Sequence, residues 1–133
     1  MTSDIDNNIL STTPKTFTDL NTIINDNNDS DVYLDSNYTF ELGSDEGFMD
    51  GVVVGRAVTV HGNGYTLNGD DTARIFTVSN SNVVFRDIVF VNGKTTGDGG
   101  AIQGSCTVVG CSFIDNSAAN YGGAMYRGSA VNC

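Results

Sequence analysis

Residues 88–125 read IVFVNGKTTGDGGAIQGSCTVVGCSFIDNSAANYGGAM and contain one motif twice. Gly99-Gly100-Ala101-Ile102 recurs further along as Gly122-Gly123-Ala124-Met125. Two further sets of residues recur at the same spacing, and we call each set a column. The first column is Leu67, Phe90 and Phe113, and the second is Tyr65, Ile88 and Cys111. Several independent columns that share one period, here about 23 residues, are typical of solenoid proteins.

Each repeat contains very short alternating runs, such as Val83-Val84-Phe85 and Ile88-Val89-Phe90, separated by Gly, Asn and Asp. Runs of this length predict strands of about three residues, with a bend after each strand. A leucine-rich repeat would instead show columns of Leu and a helix in every unit. The pattern therefore predicts an all-β fold: a right-handed parallel β-helix, a solenoid of about four rungs with roughly 23 residues per rung.

Stacking of rungs accounts for the residue types in the columns. Equivalent residues of adjacent rungs lie about 4.8 Å apart, so both columns are predicted to form ladders that face inward. Asn92 and Asp115 each follow the aromatic column after one intervening residue, and we expect their side chains to bond to the backbone at a corner. The glycine pairs at 99–100 and 122–123 are predicted to supply positive φ angles before the next strand.

One short amphipathic helix is predicted near the N-terminus. Thr18 is the expected N-cap, and Asp19 suits the positive end of a helix. Three apolar residues fall on one face: Leu20, Ile23 and Ile24. Because an open β-helix end exposes strand edges, we assign residues 16–31 as an N-terminal capping helix.

The remaining chain divides into a tail and a repeat array. Residues 1–15 are polar and unpatterned, which predicts a flexible tail. Residues 32–133 are assigned to the β-helix rungs. Residues 122–133 open a new rung and stop in mid-strand, so we expect the array to be truncated at its C-terminal end and to pack against further rungs of a longer chain.

Composition excludes some functions. The chain has 16 acidic and 6 basic residues, a net charge of −10, which disfavours nucleic acid and anionic membranes as partners. No apolar run is long enough to insert into a membrane. Residues 1–6 are polar rather than signal-like, so either the protein is intracellular or Met1 replaces a removed leader peptide. The resemblance given in the next paragraph favours the second interpretation.

Several of these motifs resemble known surface proteins. Gly99-Gly100-Ala101-Ile102 and Phe113-Ile114-Asp115-Asn116 resemble the GGAI and FxxN repeats of the chlamydial polymorphic membrane proteins. Residues 16–133 are more similar still to the adhesin-like surface proteins of methanogenic archaea. The segments that carry this similarity are Val32-Tyr33-Leu34-Asp35, residues 60–69 and Phe90-Val91-Asn92-Gly93. The resemblance implies an extracellular, secreted or surface-anchored protein with many more rungs.

The functional prediction follows from this resemblance. We expect a non-catalytic adhesin module that binds glycans or proteins of other cells, with no catalytic residues, no cofactor and no metal site. The alternatives are a carbohydrate-active β-helix enzyme, a polysaccharide lyase or glycosidase whose catalytic rungs lie outside residues 1–133, and a purely structural spacer. An acidic cluster along a groove would favour the enzyme, and uniform short turns would favour the spacer.

Acidic residues offer the main enzymatic candidate. Asp70, Asp71 and Asp98 lie in loops of successive rungs, where they could meet as a calcium site. We favour a turn role for all three, because Asp is common in turns for backbone reasons. The neighbours Arg86 and Asp87 are interpreted in the same way, as a solvated corner rather than an acid–base pair.

Other candidates are weaker. His61 is the only histidine and alternates with inward residues, so it is predicted to face solvent. The glycine-rich segments 62–64 and 97–100 lack a phosphate-binding Lys and a following helix, which disfavours nucleotide binding. Of the four arginines, three show no common spacing: Arg56, Arg74 and Arg127.

Three cysteines are present, too few for a zinc site without a suitable histidine. The period predicts that Cys106, Cys111 and Cys133 all point inward as small buried thiols. The separation of Cys111 and Cys133 is close to one period, so a disulfide between adjacent rungs remains open.

One apolar surface is also predicted. Val91 and Ile114 are one period apart and opposite in phase to the aromatic column, so they should point outward, with Val89 and Val109 nearby. A contiguous ladder of this kind often marks a contact surface. Burial under the loop of residues 41–51 is the alternative.

Overall fold

The computed structural model describes residues 14–133, so the predicted tail lies almost wholly outside the described residues. The described chain is mostly strand, with one α-helix, and its strands form several parallel sheets. In chain order the elements are β1 (Lys15–Thr16), α1 (Phe17–Asn25), β2 (Asp31–Tyr33), β3 (Tyr38–Thr39), a 3₁₀ turn (Glu46–Phe48), β4 (Val52–Val54), β5 (Val58–His61), β6 (Thr66–Asn68), β7 (Phe76–Val78), β8 (Val83–Arg86), β9 (Val89–Val91), β10 (Lys94–Thr95), β11 (Ile102–Gln103), β12 (Thr107–Val109), β13 (Ser112–Ile114), β14 (Ser117–Ala118), β15 (Met125–Tyr126) and β16 (Ser129–Val131).

Three sheets carry almost all of these strands. Sheet 1 has the strand order β1-β3-β6-β9-β13, sheet 2 has β2-β5-β8-β12-β16, and sheet 3 has β4-β7-β11-β15. A separate pair joins β10 to β14. From β4 to β13, leaving β10 aside, successive strands belong to sheet 3, then sheet 2, then sheet 1, and this order repeats. Each strand therefore pairs with a strand one repeat away in sequence and not with its chain neighbour.

The predicted aromatic ladder is confirmed. Leu67 pairs with Phe90, and Phe90 pairs with Phe113, in parallel register within sheet 1. The rings of Phe90 and Phe113 stack with centroids 4.9 Å apart and planes 7° from parallel. The preceding repeat extends the ladder, because Tyr38 pairs with Leu67. Equal spacing in sequence thus corresponds to direct stacking in space.

A common core joins the three sheets. Phe76 of sheet 3 stacks on Phe85 of sheet 2 with centroids 4.5 Å apart. Both rings meet Phe90 of sheet 1 edge-on, at 6.0 Å and 6.2 Å. All three side chains are completely buried. Aromatic contacts of these geometries each stabilise the fold beyond the burial of apolar area.

The glycine pairs serve two purposes rather than the one predicted. Gly99 and Gly122 adopt positive φ angles of 71° and 65°, as expected. Gly100 is required for a different reason: a Cβ there would overlap the carbonyl oxygen of Gly123 in the next repeat. The second glycine therefore permits close approach of two stacked backbones.

Helix α1 packs against β1, β3 and β4 and buries Phe17, Leu20 and Ile24. The predicted N-cap was wrong: Thr16, not Thr18, is the N-cap, in a capping box with Asp19. Thr18 is instead drawn toward the loop that follows β3, where its hydroxyl donates to the Asp45 carboxylate. Among residues 14–133, no helix is long and apolar enough to cross a membrane.

The fully buried Asp45 carboxylate holds the start of this helix. It accepts hydrogen bonds from the backbone N–H groups of Phe17 and Thr18, both at 3.0 Å, and of Glu41 at 2.8 Å. Burial alone would raise the pKa of Asp45, but these bonds and the one from the Thr18 hydroxyl hold the pKa below its ordinary value.

We expect Asp45→Asn to destabilise the domain by about 1–2 kcal/mol at pH 7, because an amide cannot accept all four bonds. Since the pKa is lower in the folded state, the stabilisation is present above the unfolded value near 4 and is lost as pH falls through the folded value. Urea unfolding at pH 7 and pH 3 should show a smaller difference in unfolding free energy between parent and variant at pH 3. The exposed Asp29→Asn serves as the control, and an unchanged difference would contradict this role.

Candidate functional site

The predicted calcium candidates do not assemble into a ligand group. Within residues 14–133, no cluster of three or more His, Cys, Asp or Glu side chains could hold a metal ion. Asp70 and Asp71 adopt φ angles of 57° and 54°, which are left-handed turn conformations. The Asp98 carboxylate accepts the backbone N–H of Tyr121 at 3.0 Å. All three residues therefore occupy turns, as the turn interpretation predicts.

A cavity of about 350 Å³ opens beside the turn that carries Asp70, and Lys15 and Glu41 also line it. The Lys15 ammonium pairs with the Asp35 carboxylate at 3.0 Å. The Tyr38 hydroxyl donates to the same carboxylate at 2.7 Å. The bond from Tyr38 and the nearby ammonium hold the pKa of Asp35 below its ordinary value. Because its lining charges have both signs, the cavity offers no single preference for a charged ligand.

The remaining polar candidates also have structural roles, in a corner or in backbone hydrogen bonds. Arg86 and Asp87 are both exposed, and Asp87 has a φ of 54°, so the pair forms a corner as predicted. The N–H groups of Gly62 and Gly64 donate to the carbonyl oxygens of Arg86 and Asp87 in the next repeat. Glycine N–H groups used in this way are not available to cradle a phosphate.

The cysteine prediction was partly wrong. Cys106 and Cys111 are buried free thiols, as expected. Cys133 is also a free thiol but is exposed, because it follows β16, the terminal strand of sheet 2, and no strand of the described residues covers it. Burial raises the pKa of both Cys106 and Cys111 to about 11, which keeps these thiols protonated near neutral pH.

The predicted apolar surface is smaller than expected. Val91 pairs with Ile114 on sheet 1, and Ile114 is 48% exposed, so the loop of residues 41–51 does not cover it. Val109 does not belong to this surface, because it ends β12 on sheet 2. The corner between β12 and β13 separates Val109 from Ile114.

The outer face of sheet 2 carries a polar and aromatic cluster instead. Tyr33, His61 and Arg86 occupy equivalent positions on β2, β5 and β8. Each alternates with a buried residue of its strand, so the three side chains share the outward face. Asp31 opens β2 on the same face as Tyr33. We call Asp31, Tyr33, His61 and Arg86 the sheet-2 cluster.

Contacts inside the sheet-2 cluster join the side chains of Asp31, Tyr33 and His61. The Tyr33 and His61 rings stack with centroids 4.4 Å apart and planes 11° from parallel. The His61 Nε2–H donates to Asp31 Oδ1 at 2.9 Å. His61 faces outward as predicted, but its side chain is only 26% exposed because the Tyr33 ring covers it. Asp31 and Tyr33 thus fix the orientation of the imidazole.

The second face of the Tyr33 ring is open. β2 is the terminal strand of sheet 2, so among the described residues no further strand follows on that side. Tyr33 is 59% exposed. An immobilised aromatic face beside a carboxylate and an imidazole can bind a ligand that has one apolar face and a polar edge. Sequence reasoning did not select Tyr33, although its alternation with Val32 and Leu34 marks it as outward.

A second aromatic cluster joins one ring on a turn to one ring on a strand. Tyr121 is 69% exposed and stacks on Tyr126 with centroids 6.2 Å apart. The Arg127 guanidinium lies 5.3 Å from the centre of the Tyr126 ring. Arg127 has a φ of 70°, a left-handed conformation. Tyr121 precedes β15, whereas Tyr126 lies on it, so strand pairing fixes the backbone of only one of these two rings.

Comparison of the chain with models of protein families, with curated proteins and with solved structures finds no match in any of the three. The sheet-2 cluster therefore rests on its own geometry.

Proposed function

We propose that the parallel sheets are the faces of one right-handed parallel β-helix. The repeated order of sheets 3, 2 and 1 along the chain supports this architecture. The shared core of Phe76, Phe85 and Phe90, one ring from each sheet, supports it as well. The hand follows from the strong preference of parallel strands for right-handed connections.

On this scaffold we propose a non-catalytic adhesion module of an extracellular, cell-surface protein that binds glycans. The observation that carries the proposal is the open face of Tyr33 beside the Asp31 carboxylate. The C–H face of a pyranose ring is apolar and packs on an aromatic ring, while its hydroxyl groups donate to a carboxylate. The net charge of −10 favours neutral glycans over acidic ones.

The surface location is supported by the resemblance of residues 16–133 to adhesin-like surface proteins of methanogenic archaea. An acidic exterior also keeps molecules apart at the high local density of a cell surface. In this proposal the stacked rungs act as a rigid stalk, and the sheet-2 cluster provides the contact with a neighbouring cell.

The test is a glycan array probed with the parent chain, with Tyr33→Ala and with Tyr121→Ala. We expect binding of neutral glycans, a loss of at least about tenfold in affinity for Tyr33→Ala, and parental binding for Tyr121→Ala. Both substitutions remove an exposed aromatic ring, so the second controls for general loss of surface hydrophobicity. Melting temperatures should stay near the parental value, because both side chains are largely exposed.

Three outcomes would count against the proposal. Equal binding by the parent and Tyr33→Ala would remove the sheet-2 cluster from recognition. The absence of any glycan binding would favour the structural spacer. Release of shortened sugar products during incubation would favour the carbohydrate-active enzyme.

A further inference from the structure

Cys111 and Cys133 occupy equivalent positions after adjacent strands of sheet 2. Val109 of β12 pairs with Val131 of β16 in parallel register, and each cysteine follows its valine after one intervening residue. The Gly110 N–H donates to the Val131 carbonyl at 3.0 Å, which continues the register beyond the strands. Equivalent residues of stacked strands lie about 4.8 Å apart, within the Cα separation that a disulfide spans.

The two thiols also make matched contacts. Cys111 Sγ lies 3.6 Å from the carbonyl oxygen of Val109 in its own strand and 3.6 Å from that of Phe85 in the strand below. Cys133 Sγ lies 3.3 Å from the carbonyl oxygen of Val131 in its own strand and 3.7 Å from that of Val108 in the strand below. The two side chains therefore point the same way from successive strands, with the Cys133 sulfur above that of Cys111.

Cys106 does not have this arrangement. It precedes β12, where Thr107 pairs with Ser129, so its neighbour in the strand above is Gly128. In the strand below, Thr107 pairs with Val84, which places Val83 beneath Cys106. Cys106 therefore has no cysteine above or below it among the described strands. It provides an internal control for the reactivity of a buried thiol.

We propose that Cys111 and Cys133 form an intramolecular disulfide that staples β16 to β12, by exchange with a small-molecule disulfide such as oxidised glutathione. The exposed Cys133 thiolate attacks one sulfur of the oxidant, whose S–S bond breaks and releases one thiol. Cys111 then loses its proton to solvent and attacks the Cys133 sulfur of the mixed disulfide, which releases the second thiol. Two cysteine thiols are oxidised, and one disulfide is reduced to two thiols.

The order of attack follows from exposure. Cys133 is exposed and reaches the oxidant directly, whereas Cys111 is 2% exposed. Burial raises the pKa of Cys111 to about 11, so only a small fraction of Cys111 is thiolate near neutral pH, and Cys111 acts as the resolving group. Because the sulfurs point the same way, a rotation about χ1 of one cysteine is needed to bring them into bonding distance.

The test uses the whole chain of residues 1–133, incubated with oxidised glutathione and then denatured and alkylated with iodoacetamide. We expect one alkylated cysteine after oxidation and three after treatment with dithiothreitol, with a mass lower by two hydrogens in the unalkylated oxidised monomer. Cys106→Ser should still oxidise, and Cys133→Ser should not form an intramolecular bond. In Cys106→Ser, trypsin should release residues 128–133 joined to residues 95–127, because cleavage falls after Lys94 and Arg127.

Other results would overturn the proposal. Three alkylated cysteines after oxidation would mean that the two sulfurs cannot approach. A stable glutathione adduct on Cys133 would mean that Cys111 does not resolve it. Oxidised dimers that disappear in Cys133→Ser would mean that Cys133 bonds to a second molecule instead. Each result is independent of glycan binding, so the test of the disulfide and the test of the proposed function can fail separately.

Discussion

Phe90→Asp is expected to unfold the domain. Phe90 is completely buried, stacks on Phe113 at 4.9 Å, and meets Phe76 and Phe85 edge-on. Loss of a buried aromatic side chain alone costs about 3–5 kcal/mol. A carboxylate in this position would add the cost of a buried charge without a partner. The sum is comparable with the whole stability of a typical domain, which is about 5–15 kcal/mol.

Circular dichroism and thermal melting of Phe90→Asp, purified alongside the parent, measure this effect. The matched control is Ile114→Asp, which introduces the same charge on sheet 1 at a side chain that is 48% exposed. We expect Ile114→Asp to melt within a few degrees of the parent. A folded Phe90→Asp with a parental melting temperature would contradict a core shared by the three sheets.

The repeating part of the fold was predictable because stacking leaves a record in the sequence. Leu67, Phe90 and Phe113 share one environment, since each lies directly above or below another, and selection of similar residues produces the period. The glycines at 99 and 122 repeat for the same reason, with positive φ angles at both positions. Features that recur in every repeat can be inferred from a single chain.

Features that occur once were harder to infer. Asp45 lies in an acidic loop, and nothing in that loop distinguishes it from its exposed neighbours before the helix is docked. The misplaced N-cap has the same origin, because both Thr16 and Thr18 are good caps and contacts with Asp45 decide between them. The position of Val109 depends on where the chain bends, which local alternation does not specify.

The sheet-2 cluster was only partly predictable from the sequence. The outward direction of Tyr33 follows from alternation with the buried Val32 and Leu34. Its contact with His61 depends on the register between β2 and β5, whose paired residues are separated by more than the period of the later repeats. The long loop of residues 41–51 lies between these strands and breaks the period, so sequence spacing alone does not bring the two rings together.

Arg74 is the clearest single residue to which sequence reasoning assigned no role. It is only 9% exposed, and its guanidinium donates to the carbonyl oxygens of Asp50 and Gly99 at 3.0 Å and of Asp98 at 2.8 Å. Two hydroxyl oxygens complete its shell: Thr77 Oγ1 and Thr95 Oγ1. Burial lowers the pKa of Arg74, and the nearby Asp50 and Asp98 oppose this effect. The carbonyl acceptors belong to two turns far from Arg74 in sequence, one before it and one after it. No local sequence pattern therefore predicts these contacts.

Arg74→Met should therefore destabilise the domain by about 3–5 kcal/mol, the cost of breaking a buried network by removing one partner. Methionine fills much of the volume but leaves buried carbonyl groups without donors. Arg74→Lys should fall between Met and the parent, because an ammonium keeps the charge but has three donors and no planar fork. Urea unfolding provides the free energies of unfolding. The exposed Arg86→Met is the control, and its change in unfolding free energy should be near zero.

If Arg74→Met and Arg86→Met unfolded at the same urea concentration, the guanidinium could not be holding the turns around Asp50 and Gly99 together. The connection between repeats would then rest on strand pairing and the aromatic core alone.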